Sequence, residues 1–447
     1  MMNPSREHWT SRMGFILAAA GSAVGLGNVW RFPYVTGENG GGAFLLIYLG
    51  IVFSIGVSVL IAELIIGRAT QRDPAGAFRK LAGGAWPLVG YMSILTAFLI
   101  LSFYCVIAGW TLAYMIKSIT GTILTANSEA IGAVFYAFIT DPLEPVLYTA
   151  LFIGLTVFVA LGGVASGIER AARILMPALF VVLLVLVVRS VTLEGAGEGI
   201  AFFLEPDFSK VTWGTLLAAL GQAFFSLSLG MGAMITYGSY MQRHDDIAGS
   251  ALAVTVLDAL VAVLSGLVIL PAVFAFGAAP TAGPGLTFIT LPSIFAQMPF
   301  GFLFATLFFF LLAIAALTSA VALLEVVIAY FMDESGANRK KVAVSAGVAT
   351  FALAVPASLS LGVMSGFTIG GQVLFDALDF LTNNITLPLG GLLVALFLGW
   401  VMKQEGEEEL RDGSALAPAL VGAWRLIIRF IAPVAILMIL VNGLGFI

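Results

Sequence analysis

Roughly eleven stretches of this chain are apolar over the ~20 residues that a membrane-spanning helix needs. That leaves the backbone few options. In hydrocarbon every N–H and C=O must be paired inside the protein, so such a chain folds as a bundle of membrane helices. The stretches lie near 13–35, 41–67, 87–118, 145–162, 171–190, 213–241, 248–276, 301–331, 342–359, 373–401 and 418–443. Several are longer than a bilayer requires, which predicts tilt or breakage. Only 10% of residues are charged, against about 25% in a soluble domain. The expected class is an all-α polytopic membrane protein, a single transmembrane domain over residues 1–447.

Positive charge orients the bundle. With the N-terminus inside, all twenty Lys and Arg residues fall on the inner side except Arg31, Lys117, Arg189 and Lys210. The N-terminus is therefore expected in the cytoplasm, and an odd number of spans puts the C-terminus outside. Arg6 and Arg12 before Ala18–Ala20 mimic a signal peptide, but cleavage there would destroy the most structured motif present. The uncharged loop near 277–300, with Pro280, Pro284 and Pro292, is expected to pack back into an outer vestibule. The acidic run Glu405–Glu409 is expected to be a solvated loop.

Composition also excludes. A net charge of −5 gives no case for nucleic-acid binding. One cysteine, Cys105, rules out an intrachain disulfide, and two histidines make a His-based metal site improbable. There is no G-x-x-x-x-G-K-[ST], G-x-S-x-G or H-E-x-x-H, so neither an ATP motor nor an enzyme is visible.

The first stretch contains Gly21-Ser-Ala-Val-Gly-Leu-Gly-Asn-Val-Trp-Arg31. Glycine weakens a helix by about 1 kcal/mol relative to alanine. Asn28 and Arg31 are costly unless they face a partner or a water-filled cavity. A break at membrane depth is tolerated only where it lines a cavity or is buried in protein. The sixth stretch repeats the theme: Phe224-Phe-Ser-Leu-Ser-Leu-Gly-Met-Gly232. Taken singly, each Gly-x-Gly would read as close helix packing. Five spans separate the two, so the second set of five runs with opposite topology. Paired interrupted helices in corresponding halves point to a secondary-transporter site. The repeats would run roughly 10–190 and 213–402, with an extra helix at 418–443.

Other polar groups lie at membrane depth. Thr318 and Ser319 offer hydroxyls that suit a hard cation, although alone they would read as bonding back to their own helix. Asp258 has no cation near it in sequence and is a candidate site residue. Glu63 is placed to bond backbone bared by a broken neighbour, Asp379 to pair with Arg31 at an outer entrance, and Glu325 to be a packed protonated acid without a role. Tyr104 and Phe225 read as core until a site is argued beside them.

At these residues the chain resembles the neurotransmitter:sodium symporter family, whose fold is the LeuT fold: a 5+5 inverted repeat with helices 1 and 6 broken. The likeness is carried by Arg6-Glu-His-Trp9, Gly21–Pro33, Glu38–Phe44, Glu63 before Gly67-Arg68, Phe224–Gly232, Leu317–Ser319 and Asp376–Asp379. It implies two Na⁺ ions. The first would take Ala23, Asn28, Ser226 and Asp258 with the substrate carboxylate. The second would take Gly21, Val24, Ala315, Thr318 and Ser319. An amino acid would meet Ala23, Gly27, Tyr104, Phe225 and the region of Ser226, with Ile100, Phe225, Ser228, Met231, Ser319 and Leu323 around its side chain. Arg31 and Asp379 would form the outer gate, and Arg6, Trp9, Tyr240 and Asp333 the inner one. Gly25 stands where amine carriers have aspartate, which favours an α-amino acid. Asp258, where many relatives have asparagine, implies chloride independence. Met231 implies a hydrophobic substrate, aromatic ones included. Eleven spans suit the bacterial branch and a bacterial inner membrane, as a monomer or weak oligomer. A small-neutral-amino-acid symporter and a non-transporting sensor of the same fold stay open as alternatives, as do a channel and an intramembrane enzyme.

Overall fold

The computed structural model describes residues 6–125, 127–279, 285–414 and 417–446. Among them nine helices are long and apolar enough to cross a membrane: Gly42–Thr70, Pro87–Ile119, Glu144–Leu161, Val164–Val191, Ile247–Ala275, Gly301–Ser335, Arg339–Leu359, Leu374–Met402 and Pro418–Gly443. Two interrupted pairs complete the series. The first span is Arg12–Ala23 followed by Gly27–Glu38, bent by 52°. The sixth is Trp213–Ser226 followed by Ala233–Gly238. Counted in chain order, Gly42–Thr70 is the second span and Pro418–Gly443 the eleventh. The expected breaks are where the sequence put them.

Each break has a local cause. Ser11 caps the first half-helix, its side chain accepting from the Gly14 N–H. The helix ends as Val24 turns extended (φ −70°, ψ 100°), and the chain restarts at Gly27 in a wide π-helical turn. In the sixth span a capping box of Thr212 and Thr215 starts the first half. Gly230 and Gly232 take φ of 82° and 75°, a region that side chains disfavour, and the second half begins at Ala233. Glu63 accepts from the Gly230 N–H at 2.6 Å, so the second span satisfies backbone freed by the break, as expected.

The interrupted spans stand at the centre. The third and eighth spans make the most extensive helix–helix contact and flank them. Short helices absent from the sequence reading cover the ends of the bundle. Ser128–Thr140 precedes the fourth span. Ala196–Leu204 lies on the seventh so closely that a Cβ on Gly199 would fall 2.6 Å from Pro271 Cα. The uncharged loop does pack back: Pro292 is buried, and Phe288 sits among Trp30, Trp110, Tyr114 and Phe135. It packs among aromatic rings and lines no outer cavity described below. Pro280 and Pro284 lie outside the described residues.

Two expectations are corrected. The acidic run is a helix, Gln404–Arg411, with Leu410 buried. Its Glu409 accepts from the fully buried Arg68 guanidinium at 2.7 Å, a partner 341 residues away. Glu325 is not an isolated acid. It pairs with Arg339 at 2.5 Å and accepts from the Tyr240 hydroxyl at 2.7 Å. A buried carboxylate is tolerated when paired and hydrogen-bonded in this way.

Candidate substrate and ion sites

The two breaks face each other. The Ser228 hydroxyl donates to the Ser22 carbonyl at 2.9 Å, and the Gln222 amide donates to the Gly27 carbonyl at 2.8 Å. Between the half-helices lies a cavity of about 30 Å³. Of the ten residues expected around a substrate, Ala23, Gly27, Ile100, Tyr104, Phe225, Ser228, Met231, Ser319 and Leu323 line it. Ser226 does not. Its side chain turns to Asp258 instead. Ser22, Gly25 and Leu26 also line the cavity and were not singled out as contacts. The Tyr104 hydroxyl accepts from the Leu26 N–H at 3.3 Å, fixing the ring over bared backbone.

On one side of the cavity is a compact polar cluster. Asp258 accepts from the Asn28 amide through Oδ1 and from the Ser226 hydroxyl through Oδ2, both at 2.8 Å. Asn28 also donates to Ser226 Oγ at 2.9 Å. All three are fully buried. Tyr48, which the sequence reading missed, donates to Ser226 Oγ at 3.1 Å. No Lys or Arg reaches this cluster in the hydrogen bonds or ion pairs of the described residues. Its carboxylate oxygens and hydroxyls suit a small hard cation, which would balance the Asp258 charge. Ala23, expected here too, ends the first half-helix and lines the cavity.

The second cluster is carbonyl-rich. Ser319 Oγ lies 3.4 Å from the Gly21 carbonyl, 3.0 Å from Ser22, 3.3 Å from Val24 and 3.2 Å from Ala315. One hydroxyl proton serves one acceptor well; Ser228 also donates to the Ser22 carbonyl and Thr318 to that of Ala315, which leaves the Gly21 and Val24 carbonyls with no other side-chain donor among the described residues. Thr318 Oγ1 lies 3.1 Å from the Ala315 carbonyl. The five residues expected for a second ion are thus together, with the Ser22 carbonyl added. A half-helix C-terminus carries partial negative charge, which favours a cation there. Among the described residues no group of three His, Cys, Asp or Glu side chains is placed to hold a metal.

The expected gates differ from one another. Arg6 bonds Asp333 at 2.5 Å and Ser239 at 2.6 Å, and lies 4.9 Å from the Tyr240 ring centroid. The Trp9 indole donates to the Tyr237 carbonyl at 3.0 Å. The inner residues are therefore closed on one another. Arg31 and Asp379 are both present at the other end but form no ion pair. Arg31 lies over Phe225, 5.0 Å from its centroid, and Asp379 accepts from Asn383 at 2.7 Å. A cavity of about 200 Å³ at this end is lined by Arg31, Phe225 and Asn383.

A profile of the sodium:neurotransmitter symporter family matches residues 6–130 and 142–445. The sodium-dependent transporter YhdH of Bacillus subtilis is 42% identical over 98% of this chain and 97% of its own length. A sodium-dependent transporter of Haemophilus influenzae is 38% identical over 99% of each. The crystal structure of MhsT in complex with L-phenylalanine superposes with a TM-score of 0.90 at 49% identity, covering 98% of this chain and 100% of that one. An apolar helical bundle with two central breaks and these relatives admits one assignment: the chain belongs to the sodium:neurotransmitter symporter family, with the LeuT fold, and is a sodium-dependent membrane transporter rather than an enzyme.

Proposed function

We propose that the protein carries a hydrophobic L-amino acid, aromatic ones included, into the cell with two Na⁺ ions by alternating access between two five-span repeats. The observation that carries this reading is the cavity itself. Polar backbone and Tyr104 line it together with the apolar side chains of Ile100, Phe225, Met231 and Leu323, beside two oxygen clusters. The half-helix ends suit a zwitterion, and the apolar wall suits a large side chain. The phenylalanine bound by MhsT supports the same class. The substrate carboxylate would complete the cluster of Asn28, Ser226 and Asp258, so ion and amino acid would bind together.

Two ions supply enough work. At about 100 mV each charge is worth ~2.3 kcal/mol. A tenfold gradient adds ~1.4 kcal/mol per ion, and the total of roughly 7 kcal/mol supports about 10⁵-fold accumulation. Asp258 provides fixed negative charge beside the first ion, so transport proceeds without chloride. The protein works in a bacterial inner membrane as a monomer or weak oligomer, with its N-terminus in the cytoplasm and its C-terminus outside.

The test is uptake of labelled phenylalanine and leucine into proteoliposomes under an inward Na⁺ gradient, with and without chloride. Uptake that requires Na⁺ and is indifferent to chloride supports the reading. Sodium-dependent binding without flux makes the protein a sensor. Uptake that survives replacement of Na⁺ by choline rejects the ion sites.

A further inference from the structure

A groove of about 620 Å³, far larger than the cavity at the breaks, lies between the third, eighth and ninth spans on their outer faces. Leu95 and Phe331 on its walls are exposed, 55% and 48%, although they belong to membrane-crossing helices. Lipid therefore reaches the groove. Its floor is apolar, with Ile94, Phe98 and Val327.

Apolar walls alone select nothing, because an acyl chain is as well placed in the bulk bilayer as against Phe98. Selection must come from the rim, and the rim at one end is cationic. Lys341 lines the groove there, exposed and without an ion pair among the described residues. Arg79 reaches the same rim, donating to the hydroxyl of the lining residue Tyr91 at 2.6 Å. Its other nitrogen pairs with Glu334 at 2.7 Å, next to the inner-gate residue Asp333. Apolar walls below a cationic rim match an amphiphile with an anionic head. We infer that this groove binds a glycerophospholipid of net negative headgroup charge, its phosphate at Lys341 and one acyl chain against Leu95 and Phe331.

The placement gives the lipid leverage. Val327 stands one turn beyond Leu323, and Phe98 two residues before Ile100, so the groove and the central cavity share the same two helices. An acyl chain wedged there loads the two spans that flank the breaks.

The test is native mass spectrometry of the full chain in detergent, titrated with phosphatidylglycerol and, separately, with phosphatidylcholine of identical acyl chains. Phosphatidylglycerol is expected to be retained several-fold more tightly. Lys341→Gln is expected to weaken its retention about fivefold and leave phosphatidylcholine unchanged. Ala349→Trp, a substitution at an exposed lining position, is expected to reduce both. Unaltered thermal unfolding of both variants without added lipid verifies that they fold. Equal retention of the two lipids overturns the inference, as does phosphatidylglycerol retention indifferent to both variants. A dimer mass lost in Ala349→Trp also overturns it, assigning the groove to a second copy.

Discussion

Asn28 and Ser226, one from each interrupted span, meet at 2.9 Å, and Asp258 takes a hydrogen bond from both. The seventh span thus fastens the two breaks together through one carboxylate. Asp258→Asn keeps the shape and removes the charge. Hydrogen bonds to charged groups contribute about 1.5–3 kcal/mol, so Na⁺ affinity should fall ten- to hundredfold. Added chloride should restore part of the uptake in this variant and none in the parent. Equal Na⁺ affinity in parent and variant would remove Asp258 from the ion site.

Ser319 is surrounded by carbonyl oxygens from the first break and from its own helix. Ser319→Ala deletes the hydroxyl that reaches all four of them. The Na⁺ concentration for half-maximal binding should rise about tenfold, the loss of one good oxygen contact. Scintillation proximity binding at graded Na⁺ measures it directly. Thr318→Ala should behave alike but more mildly, because its hydroxyl is also engaged by the Ile314 carbonyl.

Gly25 has no room for a side chain. A Cβ there would lie 2.6 Å from Ser319 Oγ and 3.0 Å from the Tyr104 hydroxyl. Gly25→Asp should reduce amino-acid binding more than a hundredfold while leaving the helical circular dichroism signal intact. Preserved phenylalanine affinity in that variant would place the substrate elsewhere.

The closed inner residues should be separable from the site. Arg6→Ala removes the bonds to Asp333 and Ser239. Cys105 is buried, so the parent offers no competing thiol among the described residues. A cysteine at Val321, in a small cavity beside Tyr237 and Thr318, then reports inner access. Val321→Cys should be alkylated several-fold faster by a hydrophilic maleimide when Arg6→Ala is added.

Asp73 caps the short helix Pro74–Leu81 at this same inner end, accepting from the Ala75 and Gly76 N–H groups. Burial, reinforced by Asp333 and Glu334, pushes its carboxyl up to about 6. A raised carboxylate value means that the stabilisation it brings is full below about 4, its ordinary range, and is lost as pH rises through about 6. Asp73→Asn keeps a capping oxygen without the charge. Its melting temperature should exceed the parent's at pH 7.5, and the gap should narrow as pH falls through about 6 and close below about 4.

The sequence made the two breaks legible because glycine, carboxamide and hydroxyl at membrane depth have few other uses. Ala23, Gly27, Phe225, Ser228 and Met231 follow from those breaks, whereas Ile100, Tyr104, Ser319 and Leu323 lie on unbroken spans and are implied only by the family resemblance. Tyr48 was not legible, since an aromatic residue in an apolar run looks like core until Ser226 is found beneath its hydroxyl. Arg68 and Glu409 were not legible for another reason. Each looks like ordinary inner-side charge, and only the fold brings them together. Glu325 and Arg339 lie close in sequence but on different helices, and the turn after Ser335 joins them. Short helices such as Ala196–Leu204 escaped because a nine-residue amphipathic piece leaves little periodicity to detect.

The buried Arg68 has a consequence for how the inner end can open. Its guanidinium binds the Glu409 carboxylate and the carbonyls of Glu409, Asp412 and Asp245. Two separate pieces of chain, the end of helix Gln404–Arg411 and the turn at Asp245, are therefore nailed to the foot of the second span by one cation. Neither can lift away without stranding that charge in a dry interior. If Arg6 and Trp9 form the inner gate as proposed, opening is expected on their side, while the ground beneath Arg68 stays put.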